Sequence, residues 1–550
     1  MKKKWISILL SAAICGSMLA GCAGTGEETG SASSAEKSGD QATADVSVET
    51  GTDGKVDGLM YAEGLPLVDP GTYSFSIFCD DSSSTGEFWM LDEFAKQTNV
   101  EVDLRYFPYE TATERLNLDL NSGDYADVIG GWVLSDNMIL TYGVEQGVFI
   151  PLEDYFEQYC PNISAILDLP GVREKMTAPD GHIYTIPYVC DDSIISYTPY
   201  INDEWLANVG MEMPSTTEEL TAVLKAFKAQ DANGNGDRTD EIPLSADPNN
   251  LHLESYAGYF GMPMNNKGLA VVDGETVYGG VSAQYREFLK WFSSLYKDGL
   301  VDSEIFTQDS ATWAGKGNKD LYGMSGAWGS NEFSGIPQEV TKPKYSPLPV
   351  LNVESGGQWL RATMGNSVYR TQAVITDNAK NPEIICRWFD NAFSLENGIG
   401  CNRGPVGLVV FEEGGEYRAV DTEKELDEAT REKVSWSNLW PQSLPKFLPP
   451  DFKFKEDNPL YDEKKAAEAV YEPNLTEVSV DSFWVAQDDV DRYTEVYNAV
   501  LDYYKQAQAL FISGEQDVND DAQWEKYVSE IKSLGLEDWA RMMGDVPIAQ

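Results

Sequence analysis

Residues 72–79 read TYSFSIFC and residues 100–107 read VEVDLRYF, and both stretches alternate between apolar and polar side chains. Residues 88–97, FWMLDEFAKQ, have the spacing of an amphipathic helix. Strand, helix and strand at this spacing predict a βαβ unit with a parallel sheet. A second helical stretch at 113–121 leads to DVIGGW at 127–132, which predicts a third strand. The folded part of the chain is therefore expected to begin with a doubly wound α/β domain.

Later stretches carry the spacing of amphipathic helices. Apolar side chains recur every three or four residues in 220–227, 285–296 and 493–511, so each stretch predicts a helix with one buried face. Tryptophans on predicted amphipathic helices are expected in the core rather than at a binding site; these are Trp205, Trp291 and Trp388.

The charge of the chain limits its partners. Acidic residues outnumber basic residues 90 to 40, and the formal net charge is −50. Such a surface repels phosphate backbones, so no nucleic-acid binding is expected; a neutral ligand is favoured, although one local basic pocket could still hold an anion. The 7 cysteines are irregularly spaced and only 2 histidines are present, which argues against a zinc site. One disulfide is compatible with the sequence, which does not select its partners.

The N-terminal residues have a different character from the rest. Lysines at 2–4 precede an apolar run over 5–19, and this order predicts a secretory signal peptide over 1–21. The phrase Leu-Ala-Gly-Cys ending at Cys22 resembles the lipobox of bacterial lipoproteins, in which the cysteine is lipidated. The alternative is an ordinary signal peptide with an incidental cysteine. Residues 22–58 are mostly small, polar or acidic and predict a disordered tether behind the anchor.

Several phrases, taken in order, are similar to those of one protein family. They include LDEFAKQTNVEVDLRYF at 91–107, TAPDGHIYTIPY at 177–188, YINDEWLANVGMEMPSTTEEL at 200–220, YREFLKWFSSLYKDGLVDSEIF at 285–306 and YGMSGAWG at 322–329. Together with the lipobox, they resemble the family 1 extracellular solute-binding proteins of ABC importers, in the lipoprotein branch associated with oligosaccharides.

This resemblance implies a two-lobed α/β fold of the periplasmic-binding-protein type, with discontinuous lobes joined by a hinge and a ligand cleft between them. It implies a first lobe built from residues 59–193 and 325–375 and a second lobe built from 194–324 and 376–550. The implied function is capture of an oligosaccharide outside the cell for the membrane subunits of an ABC importer. The protein would be a lipid-anchored monomer without catalytic residues.

Residues 231–241, DANGNGDRTDE, form the sharpest local motif of the chain. Oxygen-bearing side chains alternate over its first five residues and are followed by Gly236, which reproduces the first half of a calcium-binding loop. The position at which an EF-hand places its bidentate acid is Ile242, so the loop is not a standard EF-hand.

The resembled family closes its calcium loop with an Asp-Glu pair soon after the glycine. Here one additional residue, Thr239, precedes that pair. Hard oxygen ligands without histidine or cysteine favour Ca²⁺ over zinc or copper. A structural calcium ion is expected, and a metal-free turn is the alternative. The candidate ligands are Asp231, Asn233, Asn235, Asp237, Asp240 and Glu241.

Ligands of open α/β sheets bind beyond the carboxyl ends of the strands. Asp80 and Asp81 follow the first predicted strand, and Trp132 follows the third, so these side chains are predicted to face the cleft. A solvated loop or a helix cap is the alternative for the two acids. Tyr188 ends the phrase TIPY and is predicted on the first crossing strand, near the ligand or in the hinge.

The remaining predicted ligand residues lie further along the chain. Trp328 is flanked by glycine and alanine and matches the tryptophan that, in the resembled family, lies at an interlobe crossing and stacks on a sugar. Trp359 and Arg361 occupy a polar stretch before another predicted strand at 367–375. Aromatic rings are suited to this role because a sugar presents flat apolar faces edged by hydroxyl groups.

Two other classes of protein are compatible with the sequence. A secreted glycoside hydrolase would need two carboxylates on either side of a glycosidic bond, and 90 acidic residues always offer some pair. The chain has no Gly-x-Ser-x-Gly, His-Glu-x-x-His or Walker motif, so a non-enzyme is preferred. A peptide-binding or sensory lipoprotein with the same fold is the other alternative.

Overall fold

A computed structural model describes residues 50–80, 87–190, 193–247, 251–335, 344–363, 367–420, 422–449, 452, 459–480 and 483–549. These residues belong to one compact unit that spans 48–550. The predicted signal peptide, Cys22 and Asp81 lie outside the described residues. In the part of the chain that is described, no helix combines the length and the apolar character needed to cross a membrane.

The described strands, in chain order, are β1 Lys55–Val56, β2 Met60–Tyr61, β3 Tyr73–Asp80, β4 Val100–Phe107, β5 Val128–Gly130, β6 Tyr188–Cys190, β7 Thr198–Asn202, β8 Ser245–Ala246, β9 Leu269–Val272, β10 Glu275–Tyr278, β11 Met324–Ala327, β12 Tyr345–Pro347, β13 Trp359–Arg361, β14 Ser367–Tyr369, β15 Ala373–Ile375, β16 Val410–Glu413, β17 Glu416–Ala419 and β18 Leu475–Ser479.

The described α-helices are α1 Trp89–Thr98, α2 Tyr109–Ser122, α3 Asp136–Met138, α4 Glu153–Tyr159, α5 Pro161–Leu167, α6 Val172–Met176, α7 Asp203–Val209, α8 Thr217–Ala229, α9 Ala283–Lys297, α10 Ser310–Gly317, α11 Asn331–Ser334, α12 Pro382–Ala392, α13 Leu395–Arg403, α14 Thr422–Glu425, α15 Glu428–Lys433, α16 Trp436–Leu439, α17 Pro459–Tyr471, α18 Val490–Ser513, α19 Asp521–Ser533 and α20 Leu536–Met542. A π-helix covers Ile139–Glu145, and 3-10 helices cover Leu253–Phe260, Val353–Ser355, Glu472–Asn474 and Gln487–Asp489.

The first lobe is built on a sheet with strand order β15-β5-β3-β4. Strand β3 is parallel to β4 and β5, whereas β15 is antiparallel to β5. Alternate side chains of β3 enter different cores, with Ile77 in one and Phe78 in the other. Phe94 of α1 packs in the first of these cores and Leu116 of α2 in the second. Helices therefore cover both faces, and the predicted doubly wound α/β arrangement is confirmed.

The second lobe contains a sheet with strand order β12-β7-β11-β8, in which β8 and β11 are parallel. Its main core combines this sheet with the predicted amphipathic helices α8, α9 and α18. The buried faces of α8 and α9 match the predicted stripes; they include Leu220, Val223, Leu224, Phe227, Tyr285, Phe288, Leu289 and Phe292. The periodicity therefore identified the packing faces of these helices correctly.

The chain divides between the lobes at different positions from those predicted. Strand β11 and Leu351 pack in the second lobe, although residues 325–375 were expected in the first. Helices α12 and α13 and parts of the chain after them, as far as Leu444, pack in the first lobe, although 376–550 was expected in the second. The reason is that β15 pairs with β5 and so returns the chain to the first sheet before α12 begins.

The folded body also begins earlier than the predicted residue 59. Strands β1 and β2 form an antiparallel hairpin in which Val56 pairs with Met60. Both side chains are buried in the core of the first lobe. The predicted tether therefore ends before this hairpin, because Val56 contributes apolar surface to a packed core.

Tryptophans expected in the core are placed as predicted. Trp205 and Trp388 are fully buried, and Trp291 packs against the core of the second lobe. Trp388 stacks on Trp440 with ring centroids 5.7 Å apart. The cysteines at positions 79, 160, 386 and 401 are buried, and those at 160, 386 and 401 are free thiols.

Helix α18 contacts both lobes. Near its start, Thr494 accepts a hydrogen bond of 2.7 Å from Asn137 of the first lobe, and Val490 packs with Leu140. Further along, Val500 and Phe511 are buried in the core of the second lobe. One continuous helix therefore extends from the boundary between the lobes into the second core.

Glu254 is a buried carboxyl group in the second lobe. It accepts a hydrogen bond of 3.3 Å from Gln508, which also donates to the hydroxyl group of Tyr285. Burial raises the pKa of Glu254 to about 7 and lowers the pKa of nearby His252 to about 4. Between these two values both groups are neutral in the folded protein.

Ionisation of Glu254 is expected to destabilise the folded protein. The ordinary pKa of a glutamate side chain is 4.5. Between this pH and about 7, Glu254 therefore retains a proton in the folded chain that it has lost in the unfolded chain. Stability therefore falls as the pH rises through this range. We expect Glu254→Gln to exceed the wild type in free energy of unfolding by about 3 kcal/mol above pH 7. Chemical denaturation at pH 8 and at pH 5 should show this advantage at the higher pH and little of it at the lower.

The matched control is Glu287→Gln on α9, since Glu287 is exposed and pairs with Lys290 at 2.7 Å. This variant should not show the gain in free energy of unfolding that is expected for Glu254→Gln at pH 8. An equal effect of Glu254→Gln at both pH values would show that Glu254 does not ionise between them.

Candidate functional site

The carboxyl ends of β3 and β5 form one edge of the first sheet. Asp80 ends β3 and is fully buried, and Gly131 follows β5 with a φ of 121°. A Cβ atom at Gly131 would lie 1.5 Å from Asp80 Oδ1, so the glycine permits a close approach that no other residue allows. Asp80 was predicted to face the cleft. Instead, its carboxylate lies beneath the turn that carries Trp132.

Three aromatic side chains come together beside this edge. Trp132 is 44% exposed, and its ring meets the ring of Tyr369 edge-on with centroids 5.5 Å apart. Tyr369 in turn stacks on Tyr188 at 5.5 Å. Tyr188 and Tyr369 pair across the antiparallel strands β6 and β14, which belong to segments that cross between the lobes. The predicted residues Trp132 and Tyr188 are therefore neighbours of the same tyrosine.

A segment around 436–446 also reaches this edge of the sheet. The hydroxyl group of Ser443 donates to the backbone oxygen of Asp80. Trp436 is 52% exposed, and its backbone oxygen accepts a hydrogen bond of 2.9 Å from Gln442. The ammonium group of Lys446, a buried residue, lies 5.8 Å from the centre of the Trp436 ring. This exposed aromatic ring was not predicted from the sequence.

The second lobe presents a comparable edge where the parallel strands β8 and β11 end. Asp247 follows β8 and Trp328 follows β11, so both lie at the carboxyl end of the pair. Trp328 is 42% exposed. Its backbone N–H donates to Glu332 at 3.1 Å, and its backbone oxygen accepts a hydrogen bond from Lys464. The predicted Trp328 is therefore an exposed ring on a firmly bonded loop.

Trp359 does not occupy the predicted position. It is 3% exposed and packs among tyrosines, with ring centroids 5.6 Å from Tyr259 and 5.3 Å from Tyr471. The prediction of Trp359 as an exposed platform is wrong because these tyrosines cover its ring. Arg361 is half-buried and donates from Nε to the backbone oxygen of Thr476 at 3.1 Å, which joins β13 to β18.

Sequence reasoning missed several of these neighbours. Asp247 follows a strand of only two residues, which is too short to recognise by alternation. Trp436 lies in a segment of short helices without a marked stripe. Tyr369 lies within the strand predicted at 367–375, but nothing local indicated that it faces Trp132 and Tyr188.

The candidate calcium loop is closed by its own hydrogen bonds. Asp231 Oδ2 accepts from the backbone N–H of Gly236 at 3.0 Å, and Glu241 Oε1 accepts from that of Ala232 at 2.9 Å. The amide groups of Asn233 and Asn235 donate to the two carboxylate oxygens of Asp240 at 3.3 and 2.8 Å. The carboxylate of Asp237 accepts a hydrogen bond from the backbone N–H of Thr239. The extra residue Thr239 is thus accommodated by a turn around Asp237.

Some oxygens of this loop lack partners. Asp231 Oδ1 and Glu241 Oε2 are buried and accept no hydrogen bond among the described residues. Burial raises the pKa of Glu241, and the neighbouring charges of Asp240 and Asp231 add to this. No set of three or more acid, histidine or cysteine side chains in the described segments is arranged to hold a metal. The side-chain oxygens of Asn233 and Asn235 accept hydrogen bonds from the backbone N–H groups of Asn235 and Asp237 at 3.0 and 2.7 Å. The unpartnered carboxylate oxygens are nevertheless hard donors of the kind that Ca²⁺ prefers, so the donor set fits a hard cation.

The chain is similar to a known protein family, to one of its members and to solved structures of that member. The family described as bacterial extracellular solute-binding protein matches residues 89–364. The fructooligosaccharide ABC transporter substrate-binding protein FusA of Streptococcus pneumoniae is 29% identical over 514 residues, covering 88% of this chain and 91% of that protein.

Solved structures of FusA are also similar. The complex of FusA with kestose aligns with a TM-score of 0.74 and 27% identity, covering 86% of this chain and 98% of that chain. An EF-hand mutant of FusA in complex with fructo-nystose aligns with a TM-score of 0.73 and 26% identity over 86% and 98% of the two chains. The two-lobed fold that the sequence predicts is therefore confirmed.

The contact between Asp80 and Gly131 leads to a stability prediction. Gly131→Ala should lower the free energy of unfolding by about 3 kcal/mol or more, because a Cβ there adds a steric clash to a disfavoured backbone conformation. The control is Gly147→Ala, where φ is 69° and no atom lies within 4 Å of the added Cβ. This control should cost only about 1 kcal/mol. Equal losses in thermal unfolding would show that the Asp80 carboxylate does not constrain Gly131.

Proposed function

Because the chain belongs to the bacterial extracellular solute-binding proteins, we propose that it captures a neutral oligosaccharide and presents it to the membrane subunits of an ABC importer. The protein is a binding protein rather than an enzyme, as the sequence predicts. The observation that supports the proposed ligand class is the presence of exposed tryptophans at the carboxyl-terminal edges of both sheets, at Trp132 and Trp328.

The chemistry of these edges suits a sugar. Exposed indole rings provide flat apolar surfaces for the C–H faces of a pyranose or furanose ring. Trp132 with Tyr369 would supply one wall, Trp436 would extend it, and Trp328 with Asp247 would supply the other. An oligosaccharide fits better than a single sugar because exposed rings on two lobes can contact successive residues of a chain.

Binding between two lobes also provides the signal that transport requires. A ligand that contacts Trp132 on one lobe and Trp328 on the other stabilises the closed arrangement relative to the open one. The importer would recognise the closed arrangement, and no covalent step is involved. FusA, which is similar over most of this chain, is described as a substrate-binding protein for fructooligosaccharides. We take fructooligosaccharides as the first ligands to test.

The same function calls for attachment at the cell surface. Cys22 within its lipobox would carry the lipid, and the polar segment that follows it would hold the folded body away from the membrane as a monomer. A peptide-binding or sensory role remains the competing proposal for a lipoprotein of this fold.

We also propose that residues 231–241 bind a structural Ca²⁺ ion at the end of α8. The unpartnered oxygens of Asp231 and Glu241 support this, since a cation would compensate both. The candidate ligands also include Asn233, Asn235, Asp237 and Asp240. The existence of an EF-hand mutant of FusA is in keeping with such a loop in a similar protein.

The proposed platform predicts the effect of Trp328→Ala on sugar binding. Calorimetric titration should be carried out with kestose, longer fructooligosaccharides, other neutral oligosaccharides and short peptides. For the ligand that binds the wild type best, Trp328→Ala should raise Kd about thirtyfold, as expected for loss of a binding hot spot, while leaving the melting temperature almost unchanged. Binding of peptides but of no sugar would instead support the competing proposal.

Trp388→Ala is the control, because it removes a tryptophan from the core rather than from the proposed binding site. It should cost about 3 to 5 kcal/mol of stability because it leaves a cavity in the core of the first lobe. Any folded fraction should bind sugar normally. If Trp328→Ala melts early yet binds as tightly as the wild type when folded, Trp328 has a packing role and the proposed wall is misplaced.

The calcium proposal predicts that chelation lowers the melting temperature. An ion present at a hundred times its Kd stabilises the folded state by about 2.7 kcal/mol, and this contribution disappears with the ion. Asp231→Asn should melt like the chelated wild type and should not respond to added calcium. A control variant, Asp273→Asn, lies in a turn outside the loop and should respond to calcium normally. A wild-type melting curve that is the same with and without chelator would contradict the proposal.

A further inference from the structure

Trp328 is held by a lysine from a distant part of the chain. Lys464 donates through Nζ to the backbone oxygen of Trp328, and the same Nζ lies 4.6 Å from the centre of the Trp328 ring. A cation within about 6 Å of an indole centre is attracted by the negative face of the ring. One ammonium group therefore holds both the backbone and the ring of this residue.

The lysine is itself fixed in place. Lys464 is 4% exposed and lies on α17, whose residues Ala467 and Tyr471 are buried in the core of the second lobe. Its neighbour Glu463 accepts hydrogen bonds of 2.8 Å from both the backbone N–H and the hydroxyl group of Ser330. Two successive residues of α17 thus hold the loop that carries Trp328.

This arrangement makes the two faces of the Trp328 ring unequal. The face above Lys464 is occupied by an ammonium group, whereas Trp328 remains 42% exposed. A buried ammonium group keeps a defined position because leaving its partners would be costly. The ring is therefore oriented before any ligand arrives, which reduces the entropy that binding must overcome.

We propose that Lys464 is a positioning residue for ligand binding, which fixes the Trp328 ring so that the face opposite its ammonium group receives the sugar. This inference rests on the proposed function. Lys464 acts through Trp328 and does not itself contact the ligand.

The test is a double-mutant cycle. Lys464→Met keeps most of the length of the side chain but removes the charge and the hydrogen bonds, and it should weaken sugar binding about tenfold. In a Trp328→Ala background the same change should have almost no further effect, because two residues that act as one unit are not additive. Lys464→Arg should recover most of the affinity. Lys465→Met is the matched control, since Lys465 lies next on the same helix, is 45% exposed and pairs with Glu468 at 2.8 Å.

A second measurement does not depend on the ligand. The contribution of Trp328 to fluorescence is obtained by subtracting the emission of Trp328→Ala, and its quenching by acrylamide reports access to the ring. Quenching should be stronger in Lys464→Met than in the wild type, and in Lys464→Arg it should be close to the wild-type level. If no sugar binds the wild type, the proposed function fails, and this measurement alone decides whether Lys464 orients the ring.

The inference is overturned if Lys464→Met binds sugar as tightly as the wild type. It is also overturned if its effect adds fully to that of Trp328→Ala, or if quenching of Trp328 does not change. Should Lys464→Met not fold, Lys464→Gln, which keeps a donor but no charge, takes its place in the same cycle with the same expected direction.

Discussion

Arg370 joins the parts of the chain that meet between the lobes. Its guanidinium group donates to both carboxylate oxygens of Asp136 at 2.8 Å and to the backbone oxygen of Phe483 at 2.6 Å. The same group lies 3.8 Å from the centre of the Trp484 ring. Such a buried cation is stable only while its partners stay in place, so a crossing segment, α3 and the approach to α18 are held together. The tyrosine next to this arginine, Tyr369, is the residue that contacts Trp132.

Local sequence patterns predict the helices and strands of this fold better than they predict which lobe each of them packs in. The stripes of α8 and α9 indicate which side chains are buried, because burial of one face follows from the period of the helix. Alternation in 72–79 identifies a strand but not its buried face, because both faces of β3 are covered. The same stripe on α12 does not reveal which core receives it. That choice depends on the pairing of β15 with β5, two strands of three residues that lie far apart in the chain.

The same dependence on long-range contacts explains which of the predicted site residues are exposed and which are buried. Trp132 was identifiable because it comes shortly after a predicted strand, and ligands of open α/β sheets bind beyond the carboxyl ends of the strands. Trp328 was identified through its resemblance to a tryptophan of the solute-binding family. Asp80 also follows this rule but is buried, since Gly131 allows its carboxylate to lie beneath the neighbouring turn. Trp359 lies in β13, where it pairs with Leu475 of β18, and the tyrosines that cover its ring come from distant segments. Long-range packing, which no local spacing encodes, decided these two outcomes.

The alternation of the chain between the lobes has a consequence for the order of folding. The core of the first lobe includes both Val56 and Leu444, and the core of the second includes both Ile195 and Val546. Closing such long loops is entropically costly, and topologies rich in distant contacts fold slowly. Neither core can be completed from the first half of the polypeptide, and no single cut divides the chain into two pieces that each contain one whole core. The lobes are separate in packing but interdependent in assembly.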